Sequence, residues 1–185
     1  MRAAQDSFGC IIIGADTAVV SPGGEILGKP ADRGDARRML RLLSGAWHEV
    51  YTGLALIGLA GGRRPCSLGA DRVAPDCAGA DYAASDCAVQ DCAASDCAVP
   101  IRVLTDFAVT RVKMAELCDA LIERYIGTGE PFGKAGSYAI QGMGALLVER
   151  IDGCYFNVVG LPLGKLSAML GSMGVEPLRL AARHS

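Results

Sequence analysis

Apolar and polar positions follow two rhythms along this chain, one suited to strands and one to helices. Residues 10–20, CIIIGADTAVV, read as an apolar strand, a polar interruption and a second short apolar run. The Ile11-Ile12-Ile13 run is β-branched and continuous, which predicts a strand buried on both faces. Pro22-Gly23-Gly24 is a turn signal, and residues 25–29 predict a short return strand. From Asp32 to Ser44, apolar positions 36, 39, 40, 42 and 43 share one broad helical face. Asp32 or Asp35 can cap the start of that helix and Gly45 can close its end. Residues 48–59, HEVYTGLALIGL, predict a strand. Residues 102–113 alternate as a strand does, and 114–126 predict a helix with Leu117, Cys118, Leu121, Ile122 and Tyr125 on one face. Further strands are predicted around 145–151 and 155–159, and a last helix from Pro162 to Met173, with its proline near the first turn. Strands alternating with helices predict an α/β domain. The hairpin-like pairs point to a mixed sheet with flanking helices.

Between these elements lies a stretch that fits neither rhythm. Residues 76–100 repeat with a period of five: DCAGA, DYAAS, DCAVQ, DCAAS, DCAVP. On a helix that period smears the aspartates around the surface, and on a strand it alternates their faces. A pentapeptide solenoid would have little more than one turn to stack. A low-complexity insertion at about 71–100, carried in a surface loop of one domain spanning 1–185, is the preferred expectation.

Composition changes the picture in three places. The chain has 185 residues, 51% of them hydrophobic, enough for a core, and no apolar run approaches the roughly 20 residues that span a bilayer. The N-terminal Met1-Arg2-Ala3-Ala4-Gln5-Asp6 does not read as a signal peptide, so the expected location is cytoplasmic. The eight cysteines are then expected to be reduced thiols, and the spacing of Cys77, Cys87, Cys92 and Cys97 is not a usual zinc pattern. Net charge is −2, which excludes a strongly basic nucleic-acid footprint. Residues 71–100 carry six Asp and one Arg, so the remainder is mildly basic, at +3. A basic body suits a small anionic substrate.

Four short stretches can carry chemistry. Gly14-Ala15-Asp16-Thr17 reads as the end of a buried strand, where a carboxylate can orient water or hold a divalent cation. A bland turn cap would look the same. Gly28-Lys29-Pro30 sets a lysine in a constrained turn, where it can neutralise phosphate or simply face solvent. Gly129-Glu130-Pro131-Phe132-Gly133-Lys134-Ala135-Gly136 is a small-residue loop able to bring backbone N–H groups and Lys134 to an anion, without P-loop spacing. Gln141 follows closely, and its amide can donate and accept in one plane, as a pyrimidine edge requires. The two histidines, His48 and His184, suggest no Ser-His-Asp arrangement; His48 reads as a strand start and Trp47 as packing.

Taken in order, IIGADT (12–17), EILGKP (25–30), DARRMLRLLSG (35–45), HEVYTGLAL (48–56), GEPFGKAGSYAIQG (129–142) and NVVGLPL (157–163) resemble the Maf family. The ADT and IQG forms resemble its dTTP/UTP pyrophosphatase branch rather than the branch acting on 7-methyl-GTP. The resemblance implies a mixed α/β, ITPase-like fold of two lobes around a cleft. It implies hydrolysis of a nucleoside triphosphate to the monophosphate and pyrophosphate, with a divalent cation, Mg or Mn, as cofactor. Asp16 would be the general base or orient the attacking water. Lys29 and Lys134 would hold phosphate charge, and Thr17 and Gln141 would contribute to base recognition. A homodimer is implied, and so is a link to inhibition of septum formation; neither a nucleic-acid polymer nor a membrane is an expected partner.

Two departures from the family pattern stand out. The family's strand and Ser-x-x-Arg-Arg segment, which looks like a phosphate clamp, has no counterpart ahead of Gly14, and Arg37-Arg38 sits within a predicted helix. Gly133 stands where the family often has Asp before the lysine. Three outcomes therefore stay open: an active pyrophosphatase, an impaired relative that still binds nucleotide in a regulatory role, and a poorly folding product.

Overall fold

The computed structural model describes residues 8–60 and 100–181. Residues 76–99 of the pentapeptide repeat, with its four cysteines, and Cys66 and His184 lie outside them. The elements run β1 (Phe8–Val20), β2 (Ile26–Leu27), α1 (Arg33–Leu43), β3 (Trp47–Ala60), β4 (Pro100–Met114), α2 (Asp119–Gly127), β5 (Val148–Asp152), α3 (Tyr155–Val159), α4 (Leu163–Ser172) and α5 (Pro177–Ala181). The strands form one sheet in the order β2-β1-β3-β4-β5. β1 pairs antiparallel with β2, Val19 facing Leu27, and β4 pairs antiparallel with β5, Val112 facing Ile151. The α/β class and flanking helices follow the expectation. The chain divides into two compact units, Met1–Ile12 with Ile57–Val103 and Ile13–Leu56 with Leu104–Ser185. In the first, Leu59 is buried while Ile12 and Val103 are exposed. The second holds all the helices among the described residues and the main core.

Helix α1 shows how the sequence builds that core. Asp32 caps it, accepting the Asp35 N–H at 2.8 Å. Ala36, Met39, Leu40 and Leu43 recur at helical spacing and are all buried. Leu42, expected on that face, is exposed instead. α1 packs on α2, whose buried residues are Ile122, Tyr125 and Ile126. Burying a side chain such as Leu40 or Ile122 contributes about 1.5–3 kcal/mol. β3 buries alternate residues, His48, Val50, Thr52, Leu54 and Leu56, and Val50 joins the same core.

Four expectations are corrected. Ile12 and Ile13 are 50% and 45% exposed, so β1 is not buried on both faces there. Their β-branched content makes a strand but does not determine what covers it. β1 also runs unbroken through Gly14-Ala15-Asp16-Thr17, so Asp16 is an exposed residue within a strand rather than the end of a buried one. α2 starts five residues later than predicted. Met114 still pairs with Val148, and the Ala115 N–H donates to Leu147 O at 2.9 Å, so sheet bonding holds these residues extended. Cys118 and Leu121 consequently point to solvent. Finally, 143–147 is a 3-10 turn before β5, and 155–159 is the helix α3, not a strand. α3 closes on Gly160 at φ 119°, with the Gly160 N–H on Asn157 O at 3.1 Å and the Leu161 N–H on Phe156 O at 2.9 Å. Only glycine adopts that left-handed closure at little cost.

Candidate functional site

The second unit contains a cavity of about 240 Å³, and all five residues singled out from sequence line it: Asp16, Thr17, Lys29, Lys134 and Gln141. β1 supplies the first two, the turn after β2 supplies Lys29, and the segment between α2 and β5 supplies the rest. Among the described residues, Asp16, Lys29 and Lys134 take part in no ion pair. The arrangement is two cations and one carboxylate at the wall of one cavity. Such a wall suits a polyanion that also brings a cation or a water to the carboxylate.

Local folding explains each placement. The Asp16 side chain turns back on its own strand, where Oδ1 accepts the Thr17 N–H at 2.9 Å. The loop carrying Lys134 reverses direction through Gly133 (φ 79°), Gly136 (φ 70°) and Ser137 (φ 62°). Ser137 is fully buried, and its hydroxyl donates to the Met39 sulfur at 3.1 Å, which holds this uncommon backbone conformation in place. The Gln141 segment hangs on Glu130. One carboxylate oxygen of Glu130 accepts the Met143 N–H at 2.8 Å, and the other accepts the Gly144 N–H at 2.8 Å and the Tyr125 O–H at 2.9 Å. Tyr125 in turn accepts the Ala139 N–H at 3.1 Å. Partial burial pushes Glu130 up, but these N–H donors, Tyr125 and the Lys134 charge outweigh it and hold the carboxyl below its usual value.

Arg37 and Arg38 do not line the cavity. Arg37 bonds Glu123, and Arg38 pairs with Glu25 at 2.7 Å and Asp35 at 3.0 Å. His48 does start β3, and it is 2% exposed, with Nε2 at 2.8 Å from the Tyr138 hydroxyl. Burial pushes its pKa down to about 4, so it is a neutral ring supporting a tyrosine that lines the cavity. Trp47 carries the Arg111 guanidinium 4.9 Å from its ring centroid.

The sequence reading missed the residues behind Thr17. Thr17 Oγ1 lies 2.9 Å from Thr52 Oγ1, and Thr52 donates to Asn157 O at 3.0 Å. The Asn157 amide donates to Val50 O at 2.9 Å and Thr110 Oγ1 at 3.0 Å. Thr52 was legible only as a polar residue at a buried parity of β3, and Asn157 only as a polar residue in an apolar run.

Comparison with known proteins shows the family to which the chain belongs. The family model described as Maf-like protein matches residues 1–73 and 85–173. A dTTP/UTP pyrophosphatase of Acetivibrio thermocellus is 44% identical over 169 residues, 91% of this chain and 64% of the relative. One from Clostridium botulinum strain Loch Maree is 40% identical over 172 residues, 93% of this chain and 67% of its own. One from Dictyoglomus thermophilum is 40% identical over 177 residues, 96% and 71% respectively. The chain thus spans about two thirds of the length of these curated relatives. With a family model matching most of its length and relatives at this identity, the chain belongs to the Maf-like protein family.

Proposed function

We propose that this chain is a nucleoside triphosphate pyrophosphatase that converts dTTP and UTP to the monophosphate and pyrophosphate. The observation that carries the reading is the convergence of Asp16, Thr17, Lys29, Lys134 and Gln141 on one cavity. The printed names of its relatives point to the same activity. Lys29 and Lys134 bind the phosphates as point charges and draw electron density from the scissile anhydride. Asp16 orients the attacking water and takes up its proton as the bond to the α-phosphorus forms. Thr17 and Gln141 hold the base, which fixes the α-phosphorus relative to Asp16.

A divalent cation fits this site in one way. Among the described residues there is no group of three His, Cys, Asp or Glu side chains placed to hold a metal. Asp16 is nevertheless an exposed carboxylate that forms no ion pair among the described residues, which suits a magnesium or manganese ion that keeps its waters and arrives on the triphosphate. Bound there, the cation would neutralise charge on the departing pyrophosphate.

The same reading takes free nucleotide rather than a nucleic-acid polymer as substrate, and treats 71–100 as an insertion in one domain. It places the protein in the cytoplasm as a homodimer, which light scattering of the purified chain tests. No helix among the described residues is long and apolar enough to cross a membrane.

The activity test is pyrophosphate release from dTTP and UTP with Mg²⁺ or Mn²⁺, with Asp16→Asn alongside. Release that vanishes in the variant is the expected result. A folded wild-type chain that releases none overturns the reading.

A further inference from the structure

A buried chain of hydrogen bonds fixes which way the Thr17 hydroxyl points its proton. Thr52 is fully buried and has one hydroxyl proton. Its neighbour at 3.0 Å is the backbone carbonyl of Asn157, which can only accept. The Thr52 proton is therefore committed to Asn157. The 2.9 Å contact between Thr17 Oγ1 and Thr52 Oγ1 still needs a donor, and only Thr17 remains to supply it. Thr17 therefore spends its single proton inward and meets the cavity with lone pairs alone.

The anchor of the chain is itself fixed. Asn157 is fully buried, and both amide protons are used, on Val50 O and on Thr110 Oγ1. Thr110 accepts the Cys154 N–H at 3.1 Å and donates to Cys154 O at 3.2 Å. The carbonyl that receives the Thr52 proton is thus held between two strands and the start of α3.

We infer that Thr52 and Asn157 are positioning residues that make Thr17 an obligate hydrogen-bond acceptor, and that it accepts the ring N3–H of the bound base rather than an exocyclic amino group. Uracil and thymine carry that donor at N3. Cytosine presents a bare nitrogen there, and two lone pairs facing each other repel. The inference rests on the nucleotide reading above and adds the determinant of base choice to it. In Thr52→Val the buried hydroxyl is replaced by a methyl group of similar size. The Thr17 proton is then released to turn toward the cavity, and Thr17 can donate as well as accept. Thr52→Ser keeps the hydroxyl and with it the constraint.

The experiment measures kcat/KM and equilibrium affinity for UTP and CTP in wild type, Thr52→Val, Thr52→Ala and Thr52→Ser. Wild type is expected to favour UTP. The UTP-to-CTP ratio is expected to fall about tenfold in whichever of Thr52→Val and Thr52→Ala stays folded, and to hold in Thr52→Ser. Loss of general stability alone would lower both nucleotides together and leave the ratio in place. An unchanged ratio in a folded Thr52→Val or Thr52→Ala overturns the inference and leaves the pyrophosphatase reading intact. So does a wild-type chain that handles UTP and CTP equally, a result that needs no variant. A folded wild-type chain that neither binds nor hydrolyses either nucleotide overturns both.

Discussion

Gly136 donates its backbone N–H to the carbonyl oxygen of Gly28 at 3.1 Å, and that bond joins the turn carrying Lys29 to the loop carrying Lys134. Both lysines reach the same cavity because of this tie. Gly136 also lies against β1: a Cβ added there would stand 3.0 Å from Val19 Cγ1, at a backbone φ of 70°. Gly136→Ala therefore brings a steric cost and a conformational cost at once. The expected outcome is a loss of about 1–3 kcal/mol in denaturant unfolding, with KM for UTP raised. A stable variant with unchanged KM would detach the two lysines from this turn.

Lys29 and Lys134 are expected to act before and during bond cleavage, since neither is held by an ion pair among the described residues. Removing either as alanine is expected to lower kcat/KM for UTP by roughly 10²–10³. Lys29→Ala should keep the wild-type unfolding midpoint and Lys134→Ala should lower it only slightly, because both side chains are exposed and only the Lys134 charge acts on Glu130. Steady-state kinetics beside thermal melts check both halves. Equal loss of activity and stability would make the lysines structural.

Much of this site was legible because its residues sit beside strong local signals. Asp32 at the cap and the 36, 39, 40, 43 stripe identify α1, and turn glycines bracket Lys29 and Lys134. What was not legible depends on partners distant in sequence. Residues 155–159 have strand-like composition, yet they coil into α3 because Gly160 closes the helix and Asn157 finds acceptors on β3 and β4. Met114 reads as a helix start until its partner Val148, 34 positions on, holds it in the sheet. The Thr17–Thr52–Asn157 chain joins three segments, and no local pattern encodes its proton order.

Glu130 gives the site an acid limit. Its carboxyl is held below the ordinary 4.5, so the folded state binds its proton less readily than the unfolded chain. The stability it contributes is present above pH 4.5 and is lost as pH falls through the lower folded value. Protonation would weaken its grip on the Met143 and Gly144 N–H groups and release the segment that bears Gln141. Glu130→Gln is expected to raise KM for UTP at neutral pH and to flatten the melting-temperature profile below pH 4.5. Gly142→Ala should act on the same group, because a Cβ there would collide with the Glu130 carboxylate. A Glu130→Gln profile that tracks wild type throughout that range would contradict this role.

His48 sets a second, separate acid window, and its sign follows from burial rather than from pairing. Desolvation lowers its pKa from 6.5 to about 4, so between those values the unfolded chain takes up a proton that the folded chain refuses. Folding is then penalised progressively as pH falls from 6.5 toward 4, and the penalty is complete below the folded value. The full penalty is on the order of 3 kcal/mol. Above pH 6.5 the group contributes no pH dependence. A neutral replacement, His48→Gln, is expected to lose some stability at pH 7.5, where the packed ring and its 2.8 Å bond to Tyr138 are lost. It should then lose less than wild type between pH 6.5 and 4. Urea unfolding of both proteins across that range separates this effect from Glu130, whose contribution begins to fall only near pH 4.5. Parallel wild-type and His48→Gln curves would place the proton uptake on another group.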